Sequence, residues 1–541
     1  MSAPATDLSK VERGAALLLL AAAAAPFWAG RFLPFLDLPQ HLGLAAVLTH
    51  YHDPATAFAR TYTLDPHITP YWGYYGAMWI LGLGGRGLPI ELANRFLFTG
   101  YAIGIPLASA YLLASFGRDR RWAVLTIPLV FNTNLFFGFA TFLLSIPLFL
   151  LALGSSERLL ADERIRTRHA LPLALLSILV FLCHVQTYLL LGLCVLLLFL
   201  VHARGLGWLV ARGATYLPSL ALFADWSWRS FVRPDRASMV PHTVHHETFG
   251  RPGELGAVYE PWRAVLTTMP ERVMGAFTDG SDGWIALALL ALFAVALLVS
   301  HGPASVPAVD GTASNGARPG TAWARCRSRW MLPHRCELLL LALLASYLFL
   351  PMQISGQWYL NARYLVFVAL GLPLLLAKPV RGWRTVLLAA AGAIALLACA
   401  NTAAKIRAFQ RQVGPFDAIV GALPARGRVL GLPFDNGSTG PLRLWPFLHW
   451  ACYEQVLAGG DVGFSFAGLP SIPVRYRPGM QAPHPYEWRP DQLDWASMGR
   501  HYDAFLVSGV PRGRGGEELR RNAMIVARAG PWTVWKPRQG P

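Results

Sequence analysis

Residues 14–28 read Gly14-Ala15-Ala16-Leu17-Leu18-Leu19-Leu20-Ala21-Ala22-Ala23-Ala24-Ala25-Pro26-Phe27-Trp28, and the chain then runs past Arg31 into Phe35-Leu36-Asp37-Leu38-Pro39-Gln40-His41. The first stretch carries no charge and ends on an aromatic residue. The second returns a carboxylate and an imidazole directly after it. A helix rising about 1.5 Å per residue needs roughly 20 mostly apolar residues to cross hydrocarbon, so this run and its flanks read as a span. The basic lead-in of Lys10 and Arg13 also suits a signal peptide. The residues after Trp28 carry candidate chemistry instead of a small-residue cleavage site, and the run is read as a retained first span.

The rest of the chain repeats the pattern. Of 541 residues, 54% are hydrophobic and 14% are charged, far below the roughly 25% charge of a soluble domain. Further apolar runs lie at 95–116, 122–131, 138–154, 171–183, 187–202, 208–223, 284–300, 338–350, 364–377 and 386–399, which makes about eleven spans with the N-terminus inside and the C-terminus outside. The aromatic, Gly-rich stretch 70–84 is read as an interfacial helix. Counting it as a span would put Arg118, Arg120 and Arg121 outside, against the positive-inside rule. Without it, those arginines, the loop of Arg158, Arg164, Arg166 and Arg168, and Lys378, Arg381 and Arg384 all face the cytoplasm.

The expected fold is therefore an α-helical polytopic membrane protein of about eleven transmembrane helices, with a small α/β extracytoplasmic C-terminal domain. The membrane unit covers 1–402, with outer loops 31–94 and 224–283 and a Gly, Pro and Arg-rich cytoplasmic loop 301–335 expected to be disordered. In the tail, 403–541, strand-like runs occur at 428–432, 504–507, 524–527 and 532–535, the last two joined by Ala529-Gly530-Pro531 as a hairpin.

An excess of 47 Lys and Arg over 30 Asp and Glu would suggest nucleic acid in a soluble protein. Here the basic residues flank apolar spans in alternate loops and no nucleic-acid motif is present, so the partner they imply is the lipid bilayer. The six cysteines are scattered and form no disulfide framework, and Cys326, His334 and Cys336 lack zinc spacing.

Under this topology the polar residues near span ends lie outside: Asp37 and His41, Asn132 and Asn134, His184 and Gln186, Asp225 and Arg229, then Gln353, Gln357, Asn361 and Arg363. Polar groups at membrane depth are costly unless they pair, line a cavity or bind something, so the set reads as a site. Each taken singly is better explained as a helix cap or a headgroup contact, and only the set as a whole favours a site. His50, His52 and Asp53 form a compact group, and His242, His245 and His246 have i, i+3, i+4 spacing. Either offers metal ligands, yet no HExxH pattern is present and Pro241 interrupts the second. In the tail, His449, Trp450, Tyr453 and Glu454 read as core packing or as a sugar-stacking face.

A carboxylate just after the first span, an outer loop with interfacial helices, a many-span body and an outer C-terminal domain together resemble the GT-C superfamily of polyprenyl-phosphate-sugar-dependent glycosyltransferases. The matching positions are Asp37 in Leu36-Asp37-Leu38-Pro39-Gln40-His41 and Pro70-Tyr71-Trp72, similar to the Pro-rich, Trp-bearing juxtamembrane helix of the protein mannosyltransferase and aminoarabinose transferase branch. That branch commonly carries adjacent Asp-Glu where this chain has Asp37-Leu38, which leaves Asp37 open as base, metal ligand or structural acid.

The resemblance implies transfer of a sugar from a polyprenyl-phosphate donor to a glycan, lipid or protein acceptor, in a bacterial inner (plasma) membrane. Such chemistry calls for a carboxylate to activate the acceptor hydroxyl and for cations, or a divalent Mg or Mn ion, to stabilise the departing phosphate. Asp37 suits the first role, with His41 orienting it. Arg363, Gln357, His184, Asn134 and Arg229 are the expected contacts of the donor head group. The competing class is a transporter or an assembly scaffold. Transport favours discontinuous helices, midplane polar groups and repeated halves, whereas here the polar groups sit at one end and no repeat is visible.

Overall fold

The computed structural model describes residues 9–65, 67–232, 256–300, 330–354, 357–469 and 472–538. The segment 301–329, most of the loop expected to be disordered, and the His242, His245 and His246 group lie outside the described residues.

Helix α1 (Lys10–Ala24) starts with a reciprocal cap: the Glu12 amide donates to the Ser9 hydroxyl at 3.2 Å and the Ser9 amide donates to the Glu12 carboxylate at 2.8 Å. It tightens into a 3-10 turn over Ala25–Trp28 around Pro26. Next come α2 (Leu38–Thr49), α3 (Trp72–Leu81), α4 (Ile90–Ser115), α5 (Ala140–Ala161), α6 (Thr167–Cys183), α7 (Val185–His202), α8 (Ser281–Ser300), α9 (Arg335–Phe349), α10 (Leu360–Gly371) and α11 (Arg384–Val413). Among the described residues, six helices are long and apolar enough to cross a membrane, and Thr167–Cys183 and Leu360–Leu375 are shorter apolar ones. The 10-residue α3 is too short to cross, as its aromatic, glycine-rich sequence suggests.

The expected span at 122–131 takes an unexpected form. It consists of two 3-10 segments, Arg120–Thr126 and Pro128–Phe131, rather than an α-helix. A 3-10 helix advances about 2.0 Å per residue against about 1.5 Å for an α-helix, so a short run covers more depth. One end lies with the N-terminus, where Arg121 reaches Glu12 at 3.0 Å. The other leads to Phe136 and Phe137, whose carbonyls accept from Leu36 and Asp37. The weak internal bonding of this segment is tolerated because protein surrounds it: Trp122, Thr126 and Val130 are completely buried.

Among the described residues, several basic connections gather at that first end. Besides Glu12, Arg121 donates to the Val380 carbonyl at 2.6 Å, beside Lys378 and Arg381. Arg335 and His202 both reach the buried Glu157 carboxylate, at 2.8 and 3.0 Å, and Arg212 caps the Asp162 carbonyl at 2.6 Å. This alternation matches a 70–84 stretch that does not cross.

At the opposite end lies a five-stranded sheet in the order β5-β4-β7-β9-β8, formed by Arg428–Pro433 (β4), Asp461–Val462 (β5), Ala504–Ser508 (β7), Ala523–Ala529 (β8) and Trp532–Pro537 (β9). The four strand-like runs become β4, β7, β8 and β9, and Ala529 pairs with Trp532 across the hairpin. β4 runs parallel to β5 and β7, and the β9 and β8 pair is antiparallel.

This region does not stand apart from the helices. α11 runs through residue 402 to Val413, so the expected boundary falls inside a helix. Trp450 stacks on Trp532 at 5.2 Å, against Phe409 and Phe416, and the Trp532 indole donates to the Val413 carbonyl at 2.8 Å. Strand β6 (Val474–Tyr476) leaves the sheet to pair with β1 (Tyr62–Leu64), and buried Gln455 donates to the Tyr62 hydroxyl at 2.9 Å. Fully burying such large side chains contributes roughly 1.5–3 kcal/mol each, so the seam is a shared core rather than a loose contact.

Candidate active site

Asp37 occupies the N-cap of α2, where an aspartate normally accepts from the first-turn amides. Here Pro39 lies in that first turn with no N–H to offer, and the Asp37 side chain makes no capping bond. Its backbone is fixed instead by the neighbouring segment Thr133–Phe137, with Leu36 donating to the Phe136 carbonyl at 2.9 Å and Asp37 to that of Phe137 at 3.0 Å. The carboxylate is left for other work. Its Oδ1 lies 3.4 Å from Nε2 of His449, which the C-terminal region delivers, and the two side chains are only 16% and 6% exposed.

One turn into α2, His41 is buried with its Nδ1 2.8 Å from the Tyr75 hydroxyl of α3 and with the rings of Tyr74 and Phe466 around it. Burial holds its imidazole down at about 4, with Asp37 pulling upward and His449 pushing down. The ring is uncharged at neutral pH. His41 therefore adds no second positive charge beside Asp37.

Arg363 projects from the first turn of α10. Its guanidinium lies 4.0 Å from the centroid of Phe139, 3.3 Å from Nε2 of His184 and 3.3 Å from the Trp358 carbonyl. No ion pair joins Arg363 to a carboxylate among the described residues, although Asp37 and Tyr71 are within its electrostatic reach. His184 precedes α7 and meets the rings of Tyr71 and Phe142 at 6.0 and 5.2 Å. Asn134, in the segment that holds Asp37, is completely buried, and neither polar atom of its amide has a partner among the described residues. Buried amides are nearly always satisfied, so this one is unusual.

Asp37, His41, His184, Arg363 and Asn134 are therefore on or beside one another's elements. Two expected contacts are not. Arg229 is committed to Asp225 one helical turn away and to the Ile68 carbonyl at 3.2 Å, so it ties the outer loop down. Gln357 closes a tight bridge with Ile354 and its side chain is exposed. His50, His52 and Asp53 form the turn after α2: Asp53 accepts from the Ala55 amide at 2.8 Å and His52 packs edge-on to Tyr51. Among the described residues no three His, Cys, Asp or Glu side chains converge to hold a metal ion, including those around Asp37. The residues present do not fit the Mg or Mn expectation.

Sequence reasoning placed His449 in the core and missed Gln40 and Tyr75. Nothing local marks them, since their partners lie far along the chain.

No protein-family profile and no curated protein matches the sequence. Solved structures do match in fold. ArnT from Cupriavidus metallidurans, bound to undecaprenyl phosphate, is 12% identical with a TM-score of 0.54, over 98% of this chain and 99% of that one. The arabinofuranosyltransferase AftD from Mycobacteria is 13% identical with a TM-score of 0.51, over 99% of this chain and 40% of that one. At this distance the likeness speaks for the fold alone, which this chain shares with ArnT and AftD.

Proposed function

We propose that the protein transfers a sugar from a polyprenyl-phosphate-linked donor to a glycan, lipid or protein acceptor at the outer face of a bacterial inner (plasma) membrane, with its N-terminus cytoplasmic. The observation that carries this is Arg363. A half-buried guanidinium without a carboxylate partner among the described residues, facing aromatic rings beside a carboxylate that caps nothing, suits an anionic head group. ArnT was solved with undecaprenyl phosphate, and a lipid of that class fits here.

In this reading Asp37 accepts the proton of the acceptor hydroxyl as its oxygen bonds to the anomeric carbon of the sugar. The bond from that carbon to the phosphate oxygen breaks, its electron pair stays on the phosphate, and Arg363 stabilises the charge that develops. His184 holds Arg363 in place, and the unpartnered amide of Asn134 is a further contact for sugar or phosphate oxygens.

The test is Asp37→Asn in cells, with expression and membrane insertion matched to wild type. The expected result is accumulation of lipid-linked sugar and loss of mature glycan. Unchanged pools of both would remove the transferase reading and favour a transporter or scaffold.

A further inference from the structure

We infer that His449 is a positioning residue for Asp37, and that its proton is placed on Nε2 by the amide of Gln40. This rests on the transferase reading and adds that the C-terminal region completes the base.

The tautomer is set by a chain of hydrogen bonds. Gln40, buried on α2, accepts from the Phe466 amide at 3.0 Å through Oε1 and donates to the Phe464 carbonyl at 3.2 Å through Nε2. Those two backbone groups admit only one orientation of the amide. Nε2 therefore presents its second hydrogen to Nδ1 of His449, 3.4 Å away. An amide NH2 has no acceptor to give, so Nδ1 must be the bare nitrogen, and Nε2, which lies 3.4 Å from Oδ1 of Asp37, carries the hydrogen.

The ring plane is fixed by the same segment. His449 stacks on Phe464 at 5.4 Å and 23°, and meets Phe466 edge-on at 5.7 Å. Phe464 and Phe466 thus clamp the imidazole with their side chains and orient Gln40 with their backbones. With Oδ1 on the His449 side, Oδ2 of Asp37 is the oxygen that takes the proton in this arrangement.

A packing role and a positioning role make opposite predictions for two substitutions. His449→Phe keeps the aromatic stack and removes the donor. His449→Gln breaks the stack and restores an N–H. The donor probe is the lipid-linked sugar fraction extracted from the Asp37→Asn strain, a membrane extract of the same strain supplies the unmodified acceptor, and the readout is release of undecaprenyl phosphate by purified full-length protein in nanodiscs. For His449→Phe the saturating rate is expected to fall by about 100-fold while the half-saturating donor level stays within about 2-fold, and His449→Gln is expected to recover most of that loss.

Gln40→Glu supplies a second arm should His449→Phe fail to fold. An acceptor facing Nδ1 draws the proton there and turns a bare Nε2 toward Asp37, so the saturating rate falls although the imidazole remains. A His449→Phe enzyme at the wild-type rate, a His449→Gln enzyme no better than His449→Phe, or a Gln40→Glu enzyme at the wild-type rate would each overturn the assignment. If no lipid-linked sugar accumulates in the Asp37→Asn strain, it is the transferase reading that fails.

Discussion

The backbone of Gly138 lies directly against that of Asp37: a methyl group on Gly138 would sit 2.7 Å from the Asp37 nitrogen and 2.8 Å from that of Leu38. Gly138 also has φ of +79°, ending the Thr133–Phe137 turn in the left-handed region. Gly138→Ala therefore meets both a strained backbone and rigid atoms, at a cost of about 2–4 kcal/mol. The expected outcome is a lowered thermal midpoint and a fall in transfer of more than about 10-fold. Thermal unfolding in detergent, together with lipid-linked sugar levels in cells, checks it. A variant with wild-type activity would mean that this contact does not place Asp37.

Glu454, on the short helix Tyr453–Leu457 that packs against α2, is completely buried and neither carboxylate oxygen has a partner among the described residues. Burial pushes its carboxyl from 4.5 up to about 8. From pH 4.5 up to about 8 the unfolded chain releases a proton that the folded chain keeps, so this residue lowers stability progressively as pH rises through that window. Glu454→Gln should raise the melting temperature at pH 8 by several degrees and leave it unchanged below pH 4.5. A pH-independent difference would show that the carboxyl is not held neutral.

Arg363 is expected to bind phosphate through its planar fork and not by charge alone. Arg363→Lys should weaken undecaprenyl phosphate binding by about 10-fold and Arg363→Ala by about 100-fold. Binding of labelled undecaprenyl phosphate to protein in nanodiscs measures both. Equal affinity for Lys and Arg would leave only a point-charge role.

At the other end of the bundle, Glu157 is 2% exposed and carries both Arg335 and His202. Glu157→Ala leaves those groups buried without their anion, and the loss should be about 3–5 kcal/mol. Transfer per folded molecule should not change, which separates this network from the site. Yield and thermal midpoint, compared with specific activity, decide the matter.

Arg229→Ala is the contrasting case. Its partner Asp225 is 61% exposed on the side chain, and exposed pairs contribute about 0–1 kcal/mol. Both stability and transfer should stay close to wild type. A large loss of transfer would return Arg229 to the donor site.

The parts of this molecule that were legible in the sequence are those set by neighbours along the chain. The clustering of Arg121, Arg335 and Arg212 at one end is dictated by apolar runs and the basic residues beside them. Asp37 and His41 were visible because they come directly after the first apolar run. The form of 122–131 was not, since hydropathy reports burial and carries no information about 3-10 against α geometry. His449 was hidden for another reason: Gln40, which orients it, is 409 residues away. Gln357 and Arg229 have the right composition and depth, and only tertiary structure shows that Gln357 faces outward and that Asp225 and the Ile68 carbonyl already occupy Arg229. The boundary at 402 falls inside α11 because polarity changes along that helix while the helix itself continues.

The shared core between the two chain ends also constrains biosynthesis. Phe32 packs on Trp450 and Tyr453, and Trp450 in turn stacks on Trp532. Phe32 therefore leaves the ribosome long before the partners it packs against. Contacts of such long sequence separation form slowly and leave apolar surface open in the meantime. A nascent chain stalled before residue 449 would carry Asp37 without the histidine that meets it, so under the proposed mechanism competence for transfer arises late in synthesis.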